Sequence, residues 1–257
     1  AHFPRTLLGG HRARLLQRSR PPLRDLQLLR LNGLACLQGQ ELIGCLCGLQ
    51  MADRLRTLAR TDTRVMLIQG HGNVGFATGA NKGAHASRGD HLIFLNPDAF
   101  LQPGCITGLV DELEGRPSPC LVGGRVLNAD RTEQRGARRG DITPINALMS
   151  LSSLAQKVPA WRRYEVHWEG DVSPDAVTAV PTISGACFAM RRGDFAALGG
   201  FDEGYFLHVE DIDLCWRARR EGGSVSFDPQ AKVIHLGHTS QSHPLKVEMH
   251  RMMSYLE

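Results

Sequence analysis

Valine is missing from the first 64 residues; the first one in this 257-residue chain is Val65. A buried parallel strand ordinarily draws on Val and Ile. Residues 1–60, rich in Leu, Arg and Gln, therefore offer no convincing opening strand and read as an atypical N-terminal segment, helical or poorly ordered, with helical pieces at 23–31 and 41–58. No apolar run approaches the roughly 18 to 20 residues that cross a bilayer, and Arg12, Arg14, Arg18 and Arg20, scattered among leucines, lack the ordered regions of a signal peptide. The expectation is a soluble or peripheral protein. CxxC pairs and zinc spacings are also absent, and the seven cysteines are an odd number. A disulfide framework and a structural zinc site are thus unsupported, and a reducing, cytoplasmic setting fits. A net charge of +4 with both signs interspersed argues against a dedicated nucleic-acid binder. One local basic run, Arg131, Arg135, Arg138 and Arg139, reads first as a solvated loop and second as a surface for an anionic substrate or membrane.

What is present from Arg64 onward is α/β patterning: short apolar β-prone runs alternate with loops and helical stretches. Strands are expected at 64–69, 91–95, 121–127, 187–191, 224–227 and 232–235. Asn73 to Ala86 reads as a loop feeding a helix, and Pro103 to Leu113 as a helix with proline near its first turn. Glu210 to Glu221 reads as a further helix, stopped by Gly222-Gly223.

Several motifs on this frame carry chemistry. The strand Leu92-Ile93-Phe94-Leu95 runs into Asn96-Pro97-Asp98, which sets a carboxylate just past its C-terminal end, where ligands of open α/β sheets gather. A carboxylate there can hold a divalent cation against a leaving diphosphate; the plainer reading is a turn. Glu210, Asp211 and Asp213 open a helix, where acidic residues suit the macrodipole. The preceding Gly199-Gly200-Phe201-Asp202-Glu203-Gly204-Tyr205-Phe206 adds a glycine-rich, aromatic wall or lid, and a carboxylate beside such a wall can deprotonate an attacking hydroxyl. His235 ends a strand; it is either packed and hydrogen-bonded or joins Asp98 on a metal such as Mn²⁺. Thr78-Gly79-Ala80-Asn81-Lys82-Gly83 has the opening of a short-chain dehydrogenase dinucleotide site. That reading fails because His85 replaces the next glycine and none of Tyr164, Tyr205 and Tyr255 has a lysine four residues on.

Taken in order, five motifs resemble the family 2 inverting glycosyltransferases, and among them bacterial rhamnosyltransferase-like members. They are Asn73 to Gly83, Leu95 to Asp98, Ser184 to Arg191, Gly199 to Glu203 and Glu210 to Arg217, and the resemblance spans about residues 62–257. It implies a GT-A domain over 61–257: an α/β fold whose mixed, mainly parallel sheet is flanked by helices, here incomplete at its N-terminal strands. It implies Mg²⁺ or Mn²⁺ on Asp98 with His235, and Asn96 where many members carry a first Asp. Asp211 becomes the base that deprotonates the acceptor hydroxyl, Glu210 its partner, and Arg217 a residue near phosphate. Asn73, Gly75, Phe76 and Asn81 fall on the nucleotide side; Ser184, Gly185 and Ala186 line the donor sugar or acceptor, with Asp202 and Tyr205 facing the acceptor. The reaction implied moves a sugar, rhamnose from dTDP-rhamnose first, to a cell-surface polysaccharide or lipid-linked saccharide, in the cytoplasm or in peripheral contact with the inner face of the membrane, without nucleic acid. Galactose, glucose and N-acetylglucosamine are alternative sugars. The family's two opening strands, which bind the base and ribose, have no match in residues 1–60. That gap reads as a changed frame or replaced N-terminus and keeps open a second function: an inactive remnant that binds glycans or a protein partner. The chain stops at Glu257, in what reads as a helix, so a membrane-associating C-terminal segment is expected to be missing.

Overall fold

His91–Leu95 is the strand of a buried sheet: Leu92 and Phe94 point to one face, Ile93 and Leu95 to the other, and all four are buried. Such two-sided burial needs helices on both faces, and the computed structural model places them there. It describes residues 34–38, 41–45, 49–141, 146, 166–168, 173–205 and 209–236; the helical piece expected at 23–31 and the helix expected near the C-terminus lie outside them. In chain order the elements are β1 (Leu34–Gln38), β2 (Glu41–Cys45), α1 (Leu49–Thr61), β3 (Val65–Ile68), α2 (Gly75–Ala86), β4 (His91–Leu95), β5 (Ala99–Leu101), α3 (Cys105–Glu114), β6 (Cys120–Leu127), β7 (Arg138–Arg139), β8 (Thr178–Ala179), β9 (Thr182–Ile183), β10 (Cys187–Arg191), α4 (Arg192–Ala197), α5 (Glu210–Arg220) and β11 (Ser224–His235).

The main sheet has the order β3-β2-β1-β4-β10-β6-β11-β5, with β8 on β11, and β7 pairs with β9 in a small second sheet. On one face, Leu109 and Leu113 of α3 and Leu55 of α1 pack against Ile93, Val122, Val126 and Val233. On the other, the small side chains Ala77, Ala80 and Ala84 bring α2 close to the sheet, and Leu214, Cys215 and Ala218 bury one face of α5. There Phe94 stacks on Phe188 at 4.7 Å, with Phe195 and Phe201 edge-on or tilted around them. Each such buried phenylalanine stabilises the fold by about 1.5–3 kcal/mol. The end of α5 follows its sequence signal closely: Gly222 takes φ 78, Gly222 N donates to Arg219 O and Gly223 N to Ala218 O. This is the Schellman arrangement that glycine permits.

Two expectations are corrected. The mixed sheet is present but not mainly parallel: of its eight pairings only β2–β3 and β6–β11 run parallel. The reason is topological, since β10 returns antiparallel between β4 and β6, and β1 lies antiparallel between β2 and β4. Residues 41–58 are not one helix: Glu41–Cys45 is a strand and the helix starts at Leu49. The runs at 34–38 and 41–45 lack valine yet pair with each other, with β4 and with β3; available partners override a weak strand propensity. The two apolar runs expected at 224–227 and 232–235 are halves of one strand, whose register on β6 shifts between Asp228 and Lys232.

Candidate active site

The ends of β4 and β11 meet in a first polar group. Past Leu95, Asn96 N donates to Ala186 O at 2.9 Å and Ala99 N to Asn96 O at 3.0 Å, which turns the chain so that Asp98 is buried. Leu236 N donates to Asp98 O at 3.1 Å and ties the end of β11 to this turn. His235 Nε2 then lies 3.0 Å from Asp98 Oδ1 and 3.2 Å from Asn96 Nδ2. Its other nitrogen, Nδ1, is 2.7 Å from Gln134 Oε1, while Gln134 Nε2 faces Asn128 Oδ1 and His235 O. An amide oxygen only accepts, so Nδ1 carries the hydrogen, and Nε2 faces Asp98 with its lone pair unless it too is protonated. A carboxylate oxygen and an imidazole nitrogen 3.0 Å apart can be bridged by a proton or a metal.

A second polar group forms where α5 begins. Val209, at the N-cap, has φ 76, an uncommon conformation for a β-branched residue; it turns the chain into the helix with Glu210 and Asp211 both buried. Asp211 is gripped from two sides. Arg139 of β7 approaches with Nη2 3.0 Å from Oδ2 and Nη1 3.3 Å from Oδ1, and Gly185 N donates to Oδ2 at 2.8 Å. These bonds fix the position and rotamer of the Asp211 side chain. Glu210 has the opposite setting: burial first, and the Asp211 charge second, push its carboxyl from the ordinary 4.5 up to about 8, and its Oε2 is buried without a hydrogen-bond partner among the described residues. Near neutrality, then, the Glu210 carboxyl keeps its proton. The nearby Cys215 thiol is pushed up to about 12 by burial and is inert as a nucleophile.

The turn between β9 and β10 joins the groups: Ser184 N donates to Ala137 O, Ser184 Oγ accepts from Ala186 N, Gly185 holds Asp211, and Ala186 O holds Asn96. With this geometry in view, comparison with known proteins is decisive. The family model described as "Glycosyl transferase family 2" matches residues 49–199, more than half of the chain. The chain belongs to glycosyl transferase family 2. It is similar to the N-acetylglucosaminyl-diphospho-decaprenol L-rhamnosyltransferase of Mycobacterium tuberculosis, 30% identical over 148 residues, 57% of this chain and 47% of that protein. It is 39% identical over 61 residues to the rhamnosyltransferase WbbL of Escherichia coli, covering 24% of this chain and 23% of that one. The chain thus spans less than half the length of these relatives. Among solved structures, GalNAc-T7 with UDP, GalNAc and Mn²⁺ superposes with a TM-score of 0.56 at 16% identity, over 80% of this chain and 40% of that one. The fold is GT-A.

As a family 2 domain, the chain gathers Asn96, Asp98 and His235 in one group and Ser184, Gly185, Ala186, Glu210 and Asp211 in the next. Asp98 and His235 fit a hard or borderline divalent ion as two ligands, oxygen and imidazole. No cluster of three or more His, Cys, Asp and Glu ligands occurs among the described residues, so substrate oxygens and water would have to complete the shell, as they commonly do for such ions at phosphates. Other expected site residues are engaged with the protein itself. Asn81 donates to Phe201 O and Glu203 Oε1 at 2.9 Å and accepts from Phe201 N at 2.9 Å. Phe76 packs edge-on to Phe201 at 5.5 Å, Asn73 Oδ1 accepts from Gly75 N, and Asp202 Oδ1 accepts from Gly204 N while its carbonyl accepts from Tyr205 N. Arg217, which the resemblance sets near phosphate, gives its guanidinium to Asp213 Oδ2, Leu198 O and Gly200 O. Sequence reasoning missed Arg139 and Gln134. The basic run is not one solvated loop: Arg138 is buried, with Glu133 Oε1 2.7 Å from its Nε and the Phe227 ring beneath it. The signal available was placement, two adjacent arginines directly following Gly136-Ala137 and both on β7.

Proposed function

We propose that this chain is the transferase domain of an inverting glycosyltransferase that moves rhamnose from dTDP-rhamnose to a saccharide carried on a polyprenol through diphosphate. The rhamnosyltransferases it resembles support the sugar and the acceptor class. The observation that carries the mechanism is the pair of unlike carboxyls at the start of α5. Asp211 Oδ2 is fully engaged by Gly185 N and Arg139 Nη2, whereas Oδ1 has only the longer 3.3 Å approach of Nη1. Oδ1 is therefore the oxygen with lone-pair capacity for an acceptor O–H, and Asp211 is the general base. Glu210, kept neutral, adds no second charge and leaves the proton-accepting role to its neighbour. The acceptor oxygen attacks the anomeric carbon from the side opposite the leaving diphosphate, which inverts the configuration. Asp98 and His235 would hold Mg²⁺ or Mn²⁺; bound there, the ion neutralises charge developing on the diphosphate. Asn96, neutral, orients His235 and leaves one charge fewer at the cation site. Asn73, Gly75 and Phe76, where the chain enters α2, face the nucleotide, Asn81 and Arg217 hold the segment of residues 198–204, and Asp202 and Tyr205 face the acceptor.

Calorimetric titration with dTDP, UDP and GDP, each with and without Mn²⁺, tests this reading. Metal-dependent binding of dTDP in preference to the others is the expected result. Binding of UDP or GDP alone would change the donor, and no nucleotide binding by the folded chain would overturn the transferase reading in favour of a remnant that binds glycans or protein.

A further inference from the structure

Between the C-terminal halves of β6 and β11 lies a concavity of about 160 Å³ lined by Gln102, Arg125, Leu127, Arg131, Lys232 and Ile234. Arg125 and Lys232 occupy one rung of the parallel β6–β11 pair, as Leu127 and Ile234 do two residues on, so two cationic stems stand side by side on one sheet face. Like charges directly opposite are destabilising. A third cation is brought in by the following turn. Arg131 takes φ 69, its N donates to Asn128 O at 2.9 Å, and the neighbouring Asp130 carboxylate is taken up by Thr132 N and Oγ1 at 2.9 and 2.6 Å. Glu133 is the one carboxylate beside these cations in the described ion pairs, and it is shared: Oε2 lies 3.3 Å from Arg125 Nε and Oε1 2.7 Å from Arg138 Nε. Among the described residues the Arg131 and Lys232 side chains make no hydrogen bond or ion pair. Three cations and an amide thus converge on a hollow with less than one carboxylate to balance them.

A small polyanion satisfies this arrangement, and a hollow of about 160 Å³ has room for one or two phosphoryl groups. It stands across β11 from the Asp98–His235 pair, since Ile234 and His235 are successive strand residues facing opposite sides, and Gln134, which orients His235, closes the same turn by donating from N to Val126 O at 2.8 Å. We infer that this pocket binds a phosphate group of the acceptor, apart from the cation centre; the inference rests on the transferase reading above.

The shared chemistry is a phosphate ester, which a membrane lipid headgroup also carries, so the test has three arms. Inorganic pyrophosphate titrated into the whole chain in EDTA should bind without a divalent cation, more weakly as salt rises, and roughly tenfold more weakly in the double variant Arg131→Gln/Lys232→Gln. No binding to the unaltered chain, or equal binding to the variant, overturns the site, and this arm stands even if the chain proves to have no transferase activity. With a short-chain polyprenyl diphosphate saccharide, the variant should raise the acceptor KM about tenfold while kcat and the donor KM hold; a rise confined to the donor KM overturns the acceptor assignment. In flotation with phosphatidylglycerol vesicles the variant should behave as the unaltered chain does. Loss of flotation with an unchanged acceptor KM would give the pocket to lipid headgroups instead.

Discussion

At the scale of single residues, the adjacent carboxyls Glu210 and Asp211 differ because their surroundings differ, not their chemistry. Asp211 is surrounded by donors, whereas Glu210 meets apolar burial and a neighbouring charge. Asp211→Asn keeps the shape and removes the base, so nucleotide affinity should hold while transfer falls roughly 10²–10⁴-fold; single-turnover assays beside calorimetry read both, and undiminished transfer would assign the base elsewhere. Glu210 makes stability depend on pH in a stated direction. Its folded value near 8 lies above the ordinary 4.5, so between these the folded state keeps a proton that the unfolded chain releases. Stability is then full below about pH 4.5, falls as pH rises through the window and levels off above 8, a loss on the order of a few kcal/mol. Glu210→Gln, which mimics the neutral acid, should flatten that slope in thermal melts from pH 5 to 9. A variant melting curve as steep with pH as the parent's would rule the assignment out.

At the scale of elements, the site exists because short loops clamp secondary structures to one another. Asn81 on α2 uses both amide ends on Phe201, and Arg217 on α5 uses its fork on Leu198 O and Gly200 O. The motif residues of one segment thus shape another. Gly185 shows how tight this is: a Cβ there would stand 3.3 Å from Asp211 Cβ and 3.4 Å from its Oδ2, so the aspartate would have to give by a few tenths of an ångström. Gly185→Ala should lower kcat by up to about 10²-fold, the scale of a misplaced catalytic group, with nucleotide binding intact. Parent-like turnover would show that the Gly185 clamp does not set the base. The start of α3 and the stop of α5 were legible beforehand through Pro103 and Gly222-Gly223. The strands at 34–45 were not, because their identity comes from partners in β3 and β4 and not from their own composition.

At the scale of the whole molecule, the sheet carries the two halves of the proposed cation centre from segments 137 residues apart, Asp98 and His235. β11 pairs antiparallel with β5, setting His235 opposite Ala99, and that register alone brings imidazole to carboxylate. Asp98→Ala should therefore abolish the Mn²⁺ dependence of nucleotide binding, measured as the ratio of dissociation constants with and without the ion. An unchanged ratio would move the cation centre away from β4. No helix among the described residues is long and apolar enough to cross a membrane.

The sequence by itself determined the periodic features: which residues from Arg64 onward alternate across a sheet, where glycine ends α5, and that Asp98, Glu210, Asp211 and His235 are the acidic and imidazole groups suited to a cation and a proton. These follow from local chemistry, since period, caps and residue type act over a few positions. Only the tertiary structure decided that β10 and β1 run antiparallel, that Arg139 and Gly185 hold Asp211, that Gln134 faces Nδ1 of His235, and that Arg125, Arg131 and Lys232 share one hollow. Each of these depends on strand order and register, which are settled by packing between segments far apart in the chain and leave no periodic trace in any one of them.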